Sequence, residues 1–249
     1  MSEINLPWLD PFDEHAPFPS PESALEHPEG LVAAGGDLSP TRLLRAYYEG
    51  LFPWYEEDQP ILWWSPNPRG VITPKEFIAH KSLLKSIKRK KYVISYDSAF
   101  RDVITACSEP RKTTRGTWIT PDMIHAYIRL HQLNHAHSVE VWNSDNQLIG
   151  GVYGISIGTI FFGESMFSRE TNASKIALLY LSALLDTWNF ELIDTQLPSD
   201  HLSSLGGKGM SRNDYLSILG ILTKKAPSPD AWNQGKIIDI TKWLQSIKQ

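Results

Sequence analysis

The sequence predicts an α/β fold of the α+β kind, with a mixed sheet and helices on both of its faces. Three observations predict it. Short runs rich in Val, Ile, Phe and Tyr recur along the chain, interleaved with segments whose apolar residues repeat at helical spacing. A chain of 249 residues with 41% hydrophobic content can bury a full core. The stretch from Gly150 to Gln196 shows the pattern most densely, as two strands, a helix and a third strand.

In chain order, Met1 to Pro21 is rich in Pro and acidic residues without periodicity and reads as an extended arm. Ser39 and Pro40 open a helix as N-cap and first helical residue, Leu43, Leu44, Tyr47 and Tyr48 give its apolar face, and Gly50 stops it. Pro60 to Trp64 reads as a short strand, with Trp63 and Trp64 in the core. The proline cluster Ser65-Pro66-Asn67-Pro68 marks a boundary between a small cap, residues 1–67, and a larger domain, residues 68–249. In that domain Pro74 to Ile87 reads as a helix and Tyr92 to Ser95 as a strand. Asp97 is placed to cap a helix ending near Cys107, and Thr120-Pro121 begins one that reaches about Leu133. His135 to Trp142 alternates as a strand. Gly150 to Ser156 and Thr159 to Met166 form a hairpin around Ile157-Gly158. A helix from Asn172 to about Trp188 follows, and then the strand Leu192 to Gln196. A short helix spans His201 to Leu205, Ser211 caps a last one to about Leu222, and the tail beyond Pro227 offers no pattern.

Composition excludes several classes. Cys107 is the single cysteine, so no internal disulfide forms, and no apolar run approaches about 18 residues. A cytoplasmic protein that neither spans nor enters a membrane is expected. The net charge of -4 argues against indiscriminate coating of nucleic acid, so an RNA partner would need a local patch. One exists: Lys75, Lys81, Lys85, Lys88, Arg89, Lys90 and Lys91 place seven cations within seventeen residues, against the single acid Glu76. Such a run can be an ordinary solvated face or a grip on phosphates. Arg111, Lys112 and Arg115 precede Gly116-Thr117-Trp118, a basic loop leading to an aromatic, which suits single-stranded RNA. Trp54 and Trp118 sit in apparent loops, where each could plug a junction or stack on a base. His125, His131, His135 and His137 lack a metal-binding spacing, and no metal is expected. The two-residue period of Leu192 to Gln196 sets Asp194 and Gln196 on one face at a strand end, where a carboxylate and an amide suggest chemistry. Glu164, within an apolar strand, calls for a cation or several donors, either a positively charged substrate or Arg169.

The segments FPSPESALEHPEGLVAAGGDLSP, GLFPWY, PILWWSPNPRGV, GTWIT, HAHSVEVW, GESMFSRETNASK and LIDTQ occur in order from Phe18 onward. In these the chain resembles the leucyl/phenylalanyl-tRNA–protein transferase family, over a span reaching about Tyr215. The resemblance implies an N-acetyltransferase-like fold for the larger domain. It implies transfer of Leu or Phe, less readily Met, from Leu-tRNA, Phe-tRNA or Met-tRNA to the α-amino group of proteins beginning with Arg or Lys, which creates a degradation signal. Carried over residue by residue, Asp194 and Gln196 would be catalytic. Trp54 and Trp118 would hold the terminal adenosine, and Val152, Phe161, Leu178 and Ile193 would wall the donor pocket. Ser199 falls at an acceptor contact of the family; given such substrates, Glu164 is the residue best suited to meet the acceptor's positive side chain, and Lys81, Lys85, Lys88, Arg89, Arg111, Lys112 and Arg115 to meet the tRNA. Val152 replaces a methionine and Ser199 an asparagine of the family pattern, which changes the pocket's shape and shortens an acceptor contact. A monomer without cofactor is expected. The segment Phe167 to Lys175 contains no glycine, so backbone amides cannot closely approach a pyrophosphate, which counts against a CoA-dependent acyltransferase. A tRNA-binding module without catalysis is the other alternative.

Overall fold

The computed structural model describes residues 6–89, 92–110, 118–233 and 238–247. The N-terminal arm is not featureless. Trp8–Leu9 forms β1, parallel to β2 (Leu31–Gly35), with Trp8 opposite Ala34. The sequence shows no strand at β2 because all five of its residues are buried and alternation disappears. Helix α1 (Pro40–Tyr48) is capped as expected by Ser39, whose Oγ accepts from Arg42 N at 3.2 Å. Its buried face is Arg42, Leu43, Ala46 and Tyr47, whereas Tyr48 is exposed. Arg42 goes inside because Asp37 accepts from it at 2.8 Å and the carbonyls of Asp10, Asp13 and Ala16 accept the rest. Strands β3 (Phe52–Pro53) and β4 (Leu62–Trp64) complete a four-stranded sheet in the order β1-β2-β4-β3. Trp63 is fully buried, its Nε1 donating to Gly35 O.

Strand β5 (Arg69–Ile72) opens the second sheet. The single helix expected over 74–87 is instead a 3-10 turn, Pro74–Glu76, followed by α2 (Lys81–Arg89). Between them Phe77 is extended and buried, and Ile78 N donates to Leu205 O, so the chain is tied down before it can continue as a helix. After β6 (Val93–Tyr96), Asp97 takes φ 52° and caps nothing. Its Oδ1 accepts from Ser138 N and its Oδ2 is 2.7 Å from His137 Nδ1, leaving α3 (Phe100–Ser108) without a side-chain cap. Helix α4 (Pro121–Gln132) does have the expected Thr120 cap. Strands β7 (Ala136–Trp142), β8 (Leu148–Ile157) and β9 (Ile160–Ser168) run antiparallel. The turn between β8 and β9 falls at Gly158-Thr159, one residue later than the spacing suggested. Helix α5 (Ala173–Thr187) crosses to β10 (Leu192–Gln196), which lies parallel to β9. Then come α6 (Asp200–Ser203), β11 (Lys208–Met210), α7 (Arg212–Leu222) and, in the unpatterned tail, α8 (Ile240–Ser246). The order is β11-β5-β10-β9-β8-β7-β6.

Two features position the site. Strand β10 pairs with β9 only from Leu192 to Asp194 against Ile160 to Phe162, and past that point the two parallel strands part. This is the mixed, split sheet of the N-acetyltransferase-like fold. The core also has two sides. On one, α5 packs with Ile72, Val152, Phe161 and Ile193. On the other, Phe162 and Leu192 join Tyr47 and Trp63 of the N-terminal unit and Tyr127 of α4 in one cluster. By the strand period, Glu164 and Asp194 face this second side.

Candidate active site

Asp194 is fully buried and both its oxygens are occupied. Arg69 donates from Nε to Oδ1 at 2.9 Å and from Nη2 to Oδ2 at 2.7 Å, Tyr215 Oη donates to Oδ2 at 2.6 Å, and Gln196 N donates to Oδ1 at 2.8 Å. The guanidinium lies between the rings of Phe52 and Tyr215, 4.8 and 4.6 Å from their centroids, and its Nη1 donates to Gly50 O. Burial alone would lower the pKa of Arg69, but the Asp194 carboxylate outweighs it and holds the guanidinium above its ordinary value.

The bond from Gln196 N closes a turn. Gln196 adopts φ 58°, the register of β10 against β5 shifts between Asp194 and Gln196, and Leu197 N donates back to Thr195 O at 2.7 Å. Gly70 permits this on the neighbouring strand: a Cβ there would lie 2.6 Å from the Leu197 carbonyl carbon. The turn aims the Gln196 side chain at Glu164, whose Oε1 accepts from Gln196 Nε2 at 3.1 Å. Tyr47 Oη donates to Glu164 Oε1 at 2.7 Å and Tyr127 Oη to Oε2 at 2.9 Å, with the two phenol oxygens 2.5 Å apart. Burial pushes the Glu164 carboxyl up to about 7, against the pull of the two phenols, and the nearby Asp194 charge adds to the rise.

Glu164 and Gln196 open onto a cavity of about 210 Å³. Phe52, Pro53, Trp54 and Trp118 make its aromatic side, and Thr195 and Leu197 continue its wall. Trp54 is 42% exposed, whereas Trp118 is half-buried and packs against the core cluster that the N-terminal unit shares with the sheet. Trp64 props Trp54 from behind, with ring centroids 5.7 Å apart and its Nε1 donating to Trp54 O.

Four of the residues singled out from sequence, Trp54, Trp118, Glu164 and Gln196, thus surround one cavity. Asp194 lies behind them. Val152, Phe161, Leu178 and Ile193 are core residues around α5, and the cavity does not reach them. Phe161 and Ile193 are nevertheless partners in the paired stretch just before the split. Ser199 stands outside the cavity wall, where its Oγ caps α6 by accepting from Leu202 N at 3.2 Å. Arg169 does not pair with Glu164; it binds Glu109 at 2.6 Å. Lys81, Lys85, Lys88 and Arg89 are exposed along α2. Arg111, Lys112 and Arg115 lie outside the described residues, as do Lys90 and Lys91. His137 stacks on Trp232 and His131 on Phe100, and no cluster suited to a metal ion occurs among the described residues.

Sequence reasoning missed Arg69, Tyr127 and Tyr215, and gave Tyr47 only a packing role. The signal available was weak: a tyrosine on an apolar helix face buries its ring and leaves a hydroxyl in need of a partner, without saying which. Arg69, beside a proline and a glycine, carried no periodic signal at all.

The split mixed sheet thus holds an aromatic-walled cavity with a carboxylate–amide pair at the split. Comparison with known proteins supplies the class. Residues 71–220 match the sequence model of leucyl/phenylalanyl-tRNA protein transferase, and residues 36–67 match that of its N-terminal domain. A leucyl/phenylalanyl-tRNA–protein transferase of Aromatoleum aromaticum is 48% identical over 95% of this chain and 98% of its own length. One of Cellvibrio japonicus is 46% identical over 96% and 100%. Among solved structures, L-PGS from Bacillus licheniformis aligns over 68% of this chain and 77% of its own at 9% identity, with a TM-score of 0.39, a likeness too slight to carry an argument. The chain belongs to the leucyl/phenylalanyl-tRNA–protein transferase family and is an aminoacyltransferase. No helix among the described residues is long and apolar enough to cross a membrane.

Proposed function

We propose that the protein transfers Leu or Phe, and less readily Met, from its tRNA to the α-amino group of proteins that begin with Arg or Lys, marking them for degradation. The observation that carries this reading is the single cavity with Trp54 and Trp118 on one side and Glu164 and Gln196 on the other. An adenine stacked on a tryptophan places the ester bond of the 3′ ribose across from the polar wall, and each stacked base is worth about 1–3 kcal/mol. The ester is already activated, and an α-amino group with a pKa of about 7.7–8.0 is partly neutral at cellular pH, so most of the catalysis is positioning.

In this reading the donor side chain enters between the parting strands toward Phe161, Ile193, Val152 and Leu178. The partnership of Phe161 with Ile193 at the edge of the split supports that path. Gln196 meets the acceptor amine, and Asp194 acts behind it by fixing its backbone. Glu164 supplies negative charge to a cationic N-terminal residue. Ser199, three residues beyond Gln196, stands near the acceptor's path. The exposed cations of α2 hold the tRNA body by its phosphates. Incubation with labelled Phe-tRNA and a peptide beginning with Arg should yield the extended peptide. A peptide beginning with Glu should not react, and acetyl-CoA should not replace the tRNA. Extension of both peptides alike would remove the acceptor assignment, and no extension of either would remove the function.

A further inference from the structure

The two faces of β10 lead to different places. Asp194 turns to the side of Tyr215, whereas Ile193 and Thr195, two residues apart, turn to the side of α5. The surroundings of Thr195 agree with this. Its Oγ1 lies 2.7 Å from where a Cβ of Gly70 would stand, and Gly70 shares its face of β5 with Ile72, a member of the core around α5. Thr195 also lines the cavity. It therefore stands at the neck between the cavity and the core residues Ile193 and Phe161. Across the neck is Gly163, the first residue of β9 past the stretch paired with β10. A Cβ there would meet nothing nearer than Asp194 O at 3.5 Å and Ile193 Cγ2 at 4.0 Å, so β9 leaves the neck clear at this level. The groups beside Thr195 are engaged. Gln196 N and Nε2 donate to Asp194 and Glu164, and the Thr195 carbonyl accepts from Leu197 N. The Thr195 hydroxyl itself, only partly buried, is bonded to none of the described residues.

We infer that Thr195 Oγ1 accepts a hydrogen bond from the α-ammonium group of the donor amino acid, and so reads that the donor's own amine is free. The inference rests on the function proposed above, in which the donor side chain enters between the parting strands. A ring lodged beside Phe161 and Ile193 sets its Cα about one pleat period higher. Two residues of strand rise about 6.6 Å, comparable with the reach of a phenylalanine side chain, and that is the level of Thr195. The α-amine springs from this Cα. On entering the neck it gives up water and needs another acceptor, which a hydroxyl oxygen can be. Glu164, on the other face of the sheet, stays free for the acceptor's side chain. The contact makes and breaks no covalent bond; it fixes the donor and selects for an unblocked one.

The test is calorimetric binding of two adenosine compounds at pH 6.5, where an α-amino group is charged. Both are joined through a 3′ amide that does not hydrolyse. One carries phenylalanine, and the other carries 3-phenylpropionate, which lacks only the amine. The full-length parent is compared with Thr195→Val, Thr195→Ala and Thr195→Ser. The parent should bind the phenylalanyl compound at least about tenfold more tightly than its counterpart, the worth of one hydrogen bond to a charged group. The valine and alanine variants should bring the two compounds within about threefold of each other by weakening the phenylalanyl compound alone, and the serine variant should keep the preference. The alanine variant, which only removes atoms, carries the test if the valine variant does not fold. A threonine that merely shapes the neck, or a hydroxyl that serves the carbonyl, would weaken both compounds alike on removal. Either pattern would overturn the inference, as would a parent that binds the two equally. A parent that binds neither compound would instead overturn the donor site, and the proposed function with it.

Discussion

Asp194 and Glu164 stand one beyond the other on the same side of the sheet and are held in opposite ways. Asp194 is balanced by a buried cation, so the substitution Asp194→Asn keeps its shape and leaves Arg69 with a buried, uncompensated charge. Denaturant unfolding should show a loss of about 3–5 kcal/mol together with loss of transfer. A variant as stable as the parent would show that Arg69 does not need its partner. Glu164 has no cation in direct contact among the described residues, and its carboxyl sits at about 7 in the folded chain against an ordinary 4.5. A raised folded-state pKa means that the folded state binds the proton more tightly. The corresponding stability is fully present below about pH 4.5 and is lost as pH rises through about 7. The melting temperature of the parent should therefore decline across that window more steeply than that of Glu164→Gln; parallel curves would contradict the raised pKa. Trp54, 42% exposed and propped by Trp64, contributes its face to the cavity more than to the core. Trp54→Ala should weaken phenylalanyl-adenosine binding by about 1–3 kcal/mol in calorimetry, with little change in melting temperature.

At the scale of elements, the site depends on the end of β10 turning out of register. Gly70 makes room for that turn, so Gly70→Ala must displace Leu197 and swing Gln196 away from Glu164. Transfer should fall by at least tenfold while β5 and β10 stay paired, a combination that hydrogen exchange and rate measurements together can check. The elements themselves were largely legible. Strand β10 and helix α7 come out as read, because capping side chains and period-two or helical spacing act locally. The failures share a cause. Strand β2 is buried on every residue, Asp97 is drawn to Ser138 and His137 instead of to its own helix, and Phe77 is pulled into the core between two helical turns. In each case a contact distant in sequence overrides a local preference. The candidate site was legible where its residues are exceptions to their surroundings, such as Glu164 in an apolar strand. It was not legible at Arg69, whose partner is 125 residues away.

Taken whole, the molecule carries a net charge of -4 and still bears a row of exposed cations on α2. If these grip tRNA phosphates, replacing Lys81, Lys85, Lys88 and Arg89 by Gln should raise the dissociation constant for full-length aminoacyl-tRNA and leave that for aminoacyl-adenosine alone. The log-log salt slope should fall by up to about 0.7–0.9 per phosphate contact removed. Binding of full-length tRNA that matches the parent from low to moderate salt would make α2 an ordinary solvated face. The tyrosine on α1 has a different consequence, one of timing. Tyr47 leaves the ribosome 117 residues before Glu164, so at about 5–20 residues per second the first-made unit waits roughly 6–23 s for the carboxylate it will hold. The part of the enzyme that is synthesised first is thus among the last to be finished, and a nascent chain cut short of β9 would leave Tyr47 and Tyr127 side by side without the carboxylate that accepts from both.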